Sequence, residues 1–232
     1  MSSDKKIESF IYLGKNKISI SVFSEKNKLI FKKDFLIQKN YLDLDHNTYE
    51  FIEKSILEFE SKNKIFLKKT NVIIDKDYFL ETNISIKDKI NNRLITKEDI
   101  EYLIFDLKKL VKDNNNNFSI TKIKIKNFIV DDKYYETFEE IPPGDIFSLE
   151  VVFESINNHT QIEVKNFLSK LEIDVGRYFS TNHLEIDALN KKIDECDAAA
   201  KSFYEYDQNE VFLLAKNKEK KSFFEKFFHL FS

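Results

Sequence analysis

Residues 9–37, SFIYLGKNKISISVFSEKNKLIFKKDFLI, alternate apolar and polar side chains in three short runs separated by GKNK and SEKNK. Alternation puts every second side chain on one face of an extended chain, and the polar gaps suit reversals. The stretch therefore predicts a three-stranded β-meander, which commits the start of the chain to a sheet whose apolar face must be covered. The next segment supplies a cover. In TYEFIEKSILEFESKNK, Phe51, Ile52, Ile56 and Phe59 recur at helical spacing, with Thr48 as the expected N-cap.

Further on, NVII (71–74) reads as a strand and FLETNISI as a looser extended stretch. ITKEDIEYLIFDLKKLVKDNNNN predicts a helix with a Thr96 and Asp99 capping box and an apolar stripe of Ile100, Leu103, Ile104, Leu107 and Leu110, ending at Asn114 to Asn117. SITKIKIKNFIVDD (119–132) reads as a strand closed by Asp131 and Asp132 as turn residues, and FEEIPPGD as the firmest turn. FSLEVVFESI (147–156) is a strand, IEVKNFLSKLEI a helix with Val164, Phe167, Leu168 and Leu171 inward, and DVGRYFST a closing strand. Residues 183–206 read as helical, while NEVFLLA (209–215) suits a strand or a helix. The class is α+β in mixed sheets.

With 232 residues, 42% of them hydrophobic and 33% charged, the chain can bury a core unaided. A formal net charge of −3 gives no whole-molecule attraction to nucleic acid or to anionic membranes, so any such attraction is local and nucleic acid is not an expected partner. The single cysteine, Cys196, allows no intrachain disulfide and no cysteine metal cluster, which fits a reducing compartment. MSSDKKIESF lacks the apolar run of a signal peptide, and no stretch nears the roughly 18–20 apolar residues of a spanning helix. The expectation is a protein neither exported by that route nor transmembrane.

Catalytic signals are missing from this sequence. His46, His159, His183 and His229 lie in unrelated segments, and none shows a second histidine or a carboxylate at metal spacing. Asp194, Glu195 and Asp197 surround Cys196, a setting that raises a thiol pKa and argues against a nucleophile. No P-loop, dinucleotide fingerprint or nucleophile elbow is present, and three glycines are few for a phosphate-cradling loop. The expectation is a non-enzyme without a cofactor or metal.

Three parts of the chain resemble the bacterial cell-division protein FtsA, an actin-like adaptor family. FIYLGKNKISISVF resembles its opening strand, phosphate loop and second strand. The middle is similar to its inserted subdomain, usually called 1C, through Ile95, Thr96, Asp99, Ile100, Phe128, Val130, Asp131, Pro143, Gly144, Leu149, Glu150 and Val151 in the family's order. The third part is a basic, aromatic amphipathic segment at the C-terminus, where the family carries a membrane-targeting helix. The resemblance also has departures. Where actin-like ATPases place an Asp two residues before the loop glycine, this chain has Tyr12, then Gly14 and Lys15. The degenerate phosphate loop Tyr12, Gly14, Lys15 and the absence of glycine after Gly176 imply that ATP binding does not carry over. Docking of the tubulin-like protein FtsZ does not carry over either.

The ending KKSFFEKFFHLFS (220–232) sets Phe223, Phe224, Phe227, Phe228, Leu230 and Phe231 within one arc of about 160° on a helix. Lys220, Lys221 and Lys226 accompany that face. Its burial partner is either the protein's own sheet or the interface of an anionic membrane.

These expectations assign 7–75 to a partial actin-like meander with helix and strand, and 76–182 to a 1C-like subdomain of βαββαβ type. They assign 183–215 to a connector and 216–232 to an amphipathic membrane-targeting helix. The resemblance implies a division adaptor at the inner face of the cytoplasmic membrane, at the division site, with anionic lipids, other division proteins and copies of itself as partners. The alternatives are an actin-like scaffold of a type IV pilus or type II secretion system, similar to PilM and EpsL, and an interaction domain whose terminal helix docks on itself.

Overall fold

The computed structural model describes residues 7–37, 42, 44–182, 184, 193–205 and 210–212. They divide into two compact units at Phe79/Leu80 and Asn158/His159, and the short strand near residue 211 belongs to the second.

The first unit is built on the predicted meander. β1 (Ile7–Leu13), β2 (Lys17–Ser24) and β3 (Leu29–Leu36) run antiparallel. β4 (Lys69–Ile74) lies parallel to β1, and β9 (Asp174–Ser180) lies parallel to β4, giving the order β3-β2-β1-β4-β9. An antiparallel meander continued by parallel strands, interrupted by an inserted unit, agrees with the α+β class in mixed sheets expected from the sequence.

Alternation along β1 faces two covers. Phe10 meets Phe203 of α4 (Glu195–Tyr204) edge to face at 5.8 Å. On the opposite side, Phe31 and Phe35 of β3 meet Phe59 and Phe51 of α1 (His46–Asn63) at 5.6 and 5.2 Å. α4 approaches closely because small side chains line the contact: Ser19 and Ser21 on β2, Ala198 to Ala200 on the helix, all fully buried.

The N-cap of α1 is Asp45, whose carboxylate accepts the Thr48 N–H at 2.8 Å, so the helix begins before the expected Thr48. Thr48 itself is buried. α3 (Asn158–Ser169) also starts earlier than expected and ends before Leu171, which is half-buried past its end, while Val164, Phe167 and Leu168 are buried as expected. α3 and β9 group with the first sheet, which moves the end of the inserted unit to 158 from the expected 182.

The second unit contains β5 (Phe79–Arg93), β6 (Phe118–Val130), β7 (Lys133–Tyr135), β8 (Gly144–Asn157) and β10 (Glu210–Phe212), ordered β10-β6-β8-β5 with β7 paired on β6. α2 (Lys97–Asn114) contributes Ile100, Ile104, Leu107 and Val111 to its core, whereas Leu110 is exposed. Thr96 and Asp99 form the expected capping box.

Inward residues of β6 run Ile123, Ile125, Phe128, Val130, a spacing that breaks strict alternation. Register shifts between Ile120 and Lys122 and between Ile125 and Asn127 account for it, because each bulge moves the side-chain phase by one residue. Asp131 and Asp132 both adopt left-handed φ (47° and 63°) and turn β6 into β7, as Val130 pairs with Lys133. The Asp131 carboxylate then accepts the Ile146 N–H at 3.0 Å, and Gly144 fits beneath because a Cβ there would lie 2.2 Å from Val130 Cγ1.

Candidate functional site

β1 and β4 run parallel and end level, with Leu13 opposite Ile74. The segments leaving them therefore emerge side by side at the carboxyl end of the sheet, the edge at which open α/β sheets take ligands. One segment carries Gly14 and Lys15, the other Asp75 and Asp77.

Asp75 closes this loop from within. Its Oδ1 accepts the Tyr12 hydroxyl at 2.9 Å and its Oδ2 accepts the Lys15 backbone N–H at 3.0 Å. The Gly14 N–H donates to the Lys17 carbonyl at 3.1 Å, and Lys15 Nζ pairs with Asp77 at 2.5 Å. A phosphate loop works by presenting unpaired N–H groups and an ammonium to an anion. Here the anions on those donors are two carboxylates of the same chain.

Tyr12 fills the remaining space. A Cβ at Gly14 would lie 2.2 Å from the Tyr12 ring, so the backbone approach that glycine permits is taken by an aromatic ring in place of a ligand. Lys17 Nζ stands 5.6 Å from the same ring centroid. Burial, and then the Asp75 charge, push the phenol well above its usual range, which keeps it a donor to Asp75.

Beside the loop, Lys17 Nζ bonds Asp194 Oδ2 at 2.6 Å and Glu195 Oε2 at 2.7 Å, and Lys32 reaches Asp194 at 3.2 Å. Burial pulls the Lys17 pKa down, but the hydrogen bonds from both carboxylates outweigh it and the net shift is upward. For Asp194 burial pulls upward and the Lys17 bond wins, so its carboxyl sits below the usual range. Asp194 is also the N-cap of α4, accepting the Cys196 N–H at 3.0 Å. The Cys196 thiol is fully buried and pushed far up, chiefly by burial and then by Asp194, in the expected direction and unsuited to nucleophilic chemistry.

The structure thus brings together Tyr12, Gly14 and Lys15 from the sequence-predicted set. Lys220, Lys221, Phe223, Phe224, Lys226, Phe227, Phe228, Leu230 and Phe231 lie outside the described residues. Sequence reasoning missed Asp75, Asp77 and the roles of Lys17 and Asp194. One sequence signal was available for Asp75: a carboxylate immediately after the apolar strand NVII. His46 and His159 do each meet a glutamate one turn on, Glu50 and Glu163 at 3.1 Å, contrary to expectation, but both histidines are about four-fifths exposed. Among the described residues, no group of three or more His, Cys, Asp or Glu is placed to hold a metal ion, and no helix is long and apolar enough to cross a membrane.

No known protein family and no curated protein matches the chain in sequence. Among solved structures it is similar to the PilM–PilN type IV pilus biogenesis complex, at 6% identity and a TM-score of 0.48, over 81% of this chain and 51% of that one. It is also similar to the cytoplasmic domain of EpsL, an inner membrane component of the type II secretion system of Vibrio cholerae, at 12% identity and 0.34, over 75% and 55%. A third is a Bacteroides thetaiotaomicron protein with an actin-like ATPase fold, at 14% identity and 0.32, over 82% and 58%. The chain spans little more than half the length of these structures. At such scores the likenesses assign no function.

Proposed function

We propose that this chain is a non-catalytic adaptor on a partial actin-like frame, held at the inner face of the cytoplasmic membrane by its C-terminal segment and serving as a scaffold of a type IV pilus or type II secretion machine. The observation that carries the adaptor reading is the Asp75 carboxylate on the Tyr12 hydroxyl and the Lys15 N–H. A frame whose phosphate donors are satisfied internally retains surfaces for protein contacts and has no need of nucleotide to hold its loop.

The form of the insert supports the pilus or secretion reading over the division one. With α3 and β9 returned to the first sheet, the insert reduces to β5-α2-β6-β7-β8 with β10. That falls short of a subdomain closed by its own second helix and strand, the form that the resemblance to the division family implies. The second reading, an FtsA-like division adaptor, is favoured by the Ile95, Thr96, Asp99, Ile100 motif and its intact capping box. The proposed partners are anionic lipids and the proteins of the machine served.

A fluorescent fusion in its own cells tests the proposal. Polar or scattered envelope foci agree with the pilus or secretion scaffold, a midcell ring favours the division adaptor, and a diffuse signal overturns membrane attachment.

A further inference from the structure

β5 ends the second sheet, with β8 on one side and no strand on the other among the described residues. Over 80–90, LETNISIKDKI, its outer side chains Glu81, Asn83, Ser85, Lys87 and Lys89 are exposed. The inner row is unfinished: Thr82, Ile84 and Ile86 are only half-buried, although both isoleucines pack against the core that fully buries Ile90. A long edge strand with an open apolar row is a template for another strand.

The row is complementary to itself. If two copies of β5 pair antiparallel about Ser85, Ile84 stands opposite Ile86, Leu80 opposite Ile90, Thr82 opposite Asp88, Asn83 opposite Lys87, and Glu81 opposite Lys89. Both apolar cross-strand pairs and the opposite charges occur twice by symmetry. Neighbouring registers lose this. Centring on Lys87 sets two Lys87 face to face and Asp88 against Ile86, and centring on Ile84 sets Leu80 against Asp88. Asn83 Nδ2 donates to Glu81 Oε1 at 3.1 Å, which holds the carboxylate on the outer face where Lys89 of a second copy would arrive. A two-fold axis normal to the joined sheets also puts both α2 helices on one side, where Tyr102 and Phe105, 73% and 55% exposed, offer further apolar surface.

We propose that the chain forms a two-fold dimer by antiparallel pairing of β5 with β5 of a second copy, centred on Ser85. The dimer is independent of the membrane and machine assignments above, and it supplies them with bivalency: two C-terminal segments on one particle bind a surface far more firmly than one. A single strand pair is a small interface, so the equilibrium falls on the order of micromolar and depends on concentration.

The test is sedimentation equilibrium of the full chain carrying Phe223→Glu and Phe227→Glu, so that tail-driven association cannot imitate the dimer. The expected result is a monomer–dimer equilibrium that Glu81→Lys weakens by about tenfold, and that Glu81→Lys combined with Lys89→Glu restores. Under mild oxidation Ser85→Cys gives a covalent dimer, because directly opposed residues in an antiparallel pair lie within disulfide reach; native Cys196, being fully buried, stays out of the reaction. A monomer at every concentration, or a dimer that Glu81→Lys leaves unchanged, overturns the proposal.

Discussion

The Asp75 carboxylate holds the Lys15 backbone N–H at 3.0 Å across a sequence separation of 60 residues, and the same carboxylate holds the Tyr12 hydroxyl. One side chain therefore ties the end of β1 to the end of β4. Asp75→Ala leaves a largely buried phenol and a loop N–H without an acceptor, which costs about 2 kcal/mol. Thermal melting is expected to fall by roughly 4–8 °C, and Tyr12→Phe, which removes one of the two bonds, by about half as much.

Lys17 does for α4 what Asp75 does for the loop. Asp194 is only 15% exposed, and Lys17→Met leaves it with Lys32 as its remaining basic contact at the helix start. The variant is expected to lose about 2 kcal/mol and to open α4 more often. Buried Cys196 reports this directly: its modification by a thiol reagent is slow in the parent and at least about tenfold faster in Lys17→Met. An unchanged rate would mean that Lys17 does not seat the helix.

At the second unit, Arg93 forks onto Asp99 at 2.6 and 3.0 Å, and Thr96 donates to the same carboxylate through its N–H and its hydroxyl. The Arg93 bonds first, then those from Thr96, hold the Asp99 carboxyl down at about 2. A depressed carboxyl gives stability that is full above its unfolded pKa of about 3.9 and disappears as the pH falls through the folded value. Asp99→Asn is expected to melt below the parent at neutral pH, with the gap closing between about pH 4 and pH 2. Melting curves across that range check it, and a gap that stays constant would place the loss elsewhere.

The meander was legible because alternation over 9–37 has one physical meaning, and the Thr96 box because its spacing is fixed by helix geometry. Thr48 was misread since Asp45, three residues earlier, offers a better acceptor and leaves Thr48 to be buried in the first turn. Leu110 was assigned inward by its period, yet Val111 takes the buried place at that turn. The phase breaks at Ile123 and Phe128 could not be told from noise without the partner strand, since a bulge is defined by two residues opposing one. DVGRYFS was recognised as a strand, but its partner β4 stands a hundred residues earlier in the chain, and local pattern carries no information on that pairing. The closure of the loop was hidden for the same reason: Tyr12 and Asp75 meet only once β1 and β4 lie side by side.

The C-terminal segment is predicted to bind anionic liposomes. Large apolar side chains are worth roughly 1.5–3 kcal/mol each when fully buried, so half-burial of Phe223, Phe224, Phe227, Phe228, Leu230 and Phe231 gives about 5–9 kcal/mol before helix ordering is subtracted. Lysines near the surface add about 1 kcal/mol each. Binding is expected to be reversible, comparable to a single acyl chain, and weaker at high salt. Co-sedimentation should be lost in Phe223→Glu with Phe227→Glu; sedimentation that survives both changes would overturn the membrane anchor.

Asp75 satisfies the loop of Gly14 and Lys15 from within, and on the proposed reading that loop serves no nucleotide. Titration of the full chain with ATP and magnesium, followed by calorimetry, decides between a closed and a working loop. The expected result is no saturable heat up to about 1 mM ATP, where any binding would be weaker than roughly 4 kcal/mol; saturable, magnesium-dependent binding that Tyr12→Ala or Lys15→Ala weakens would overturn the closed-loop reading.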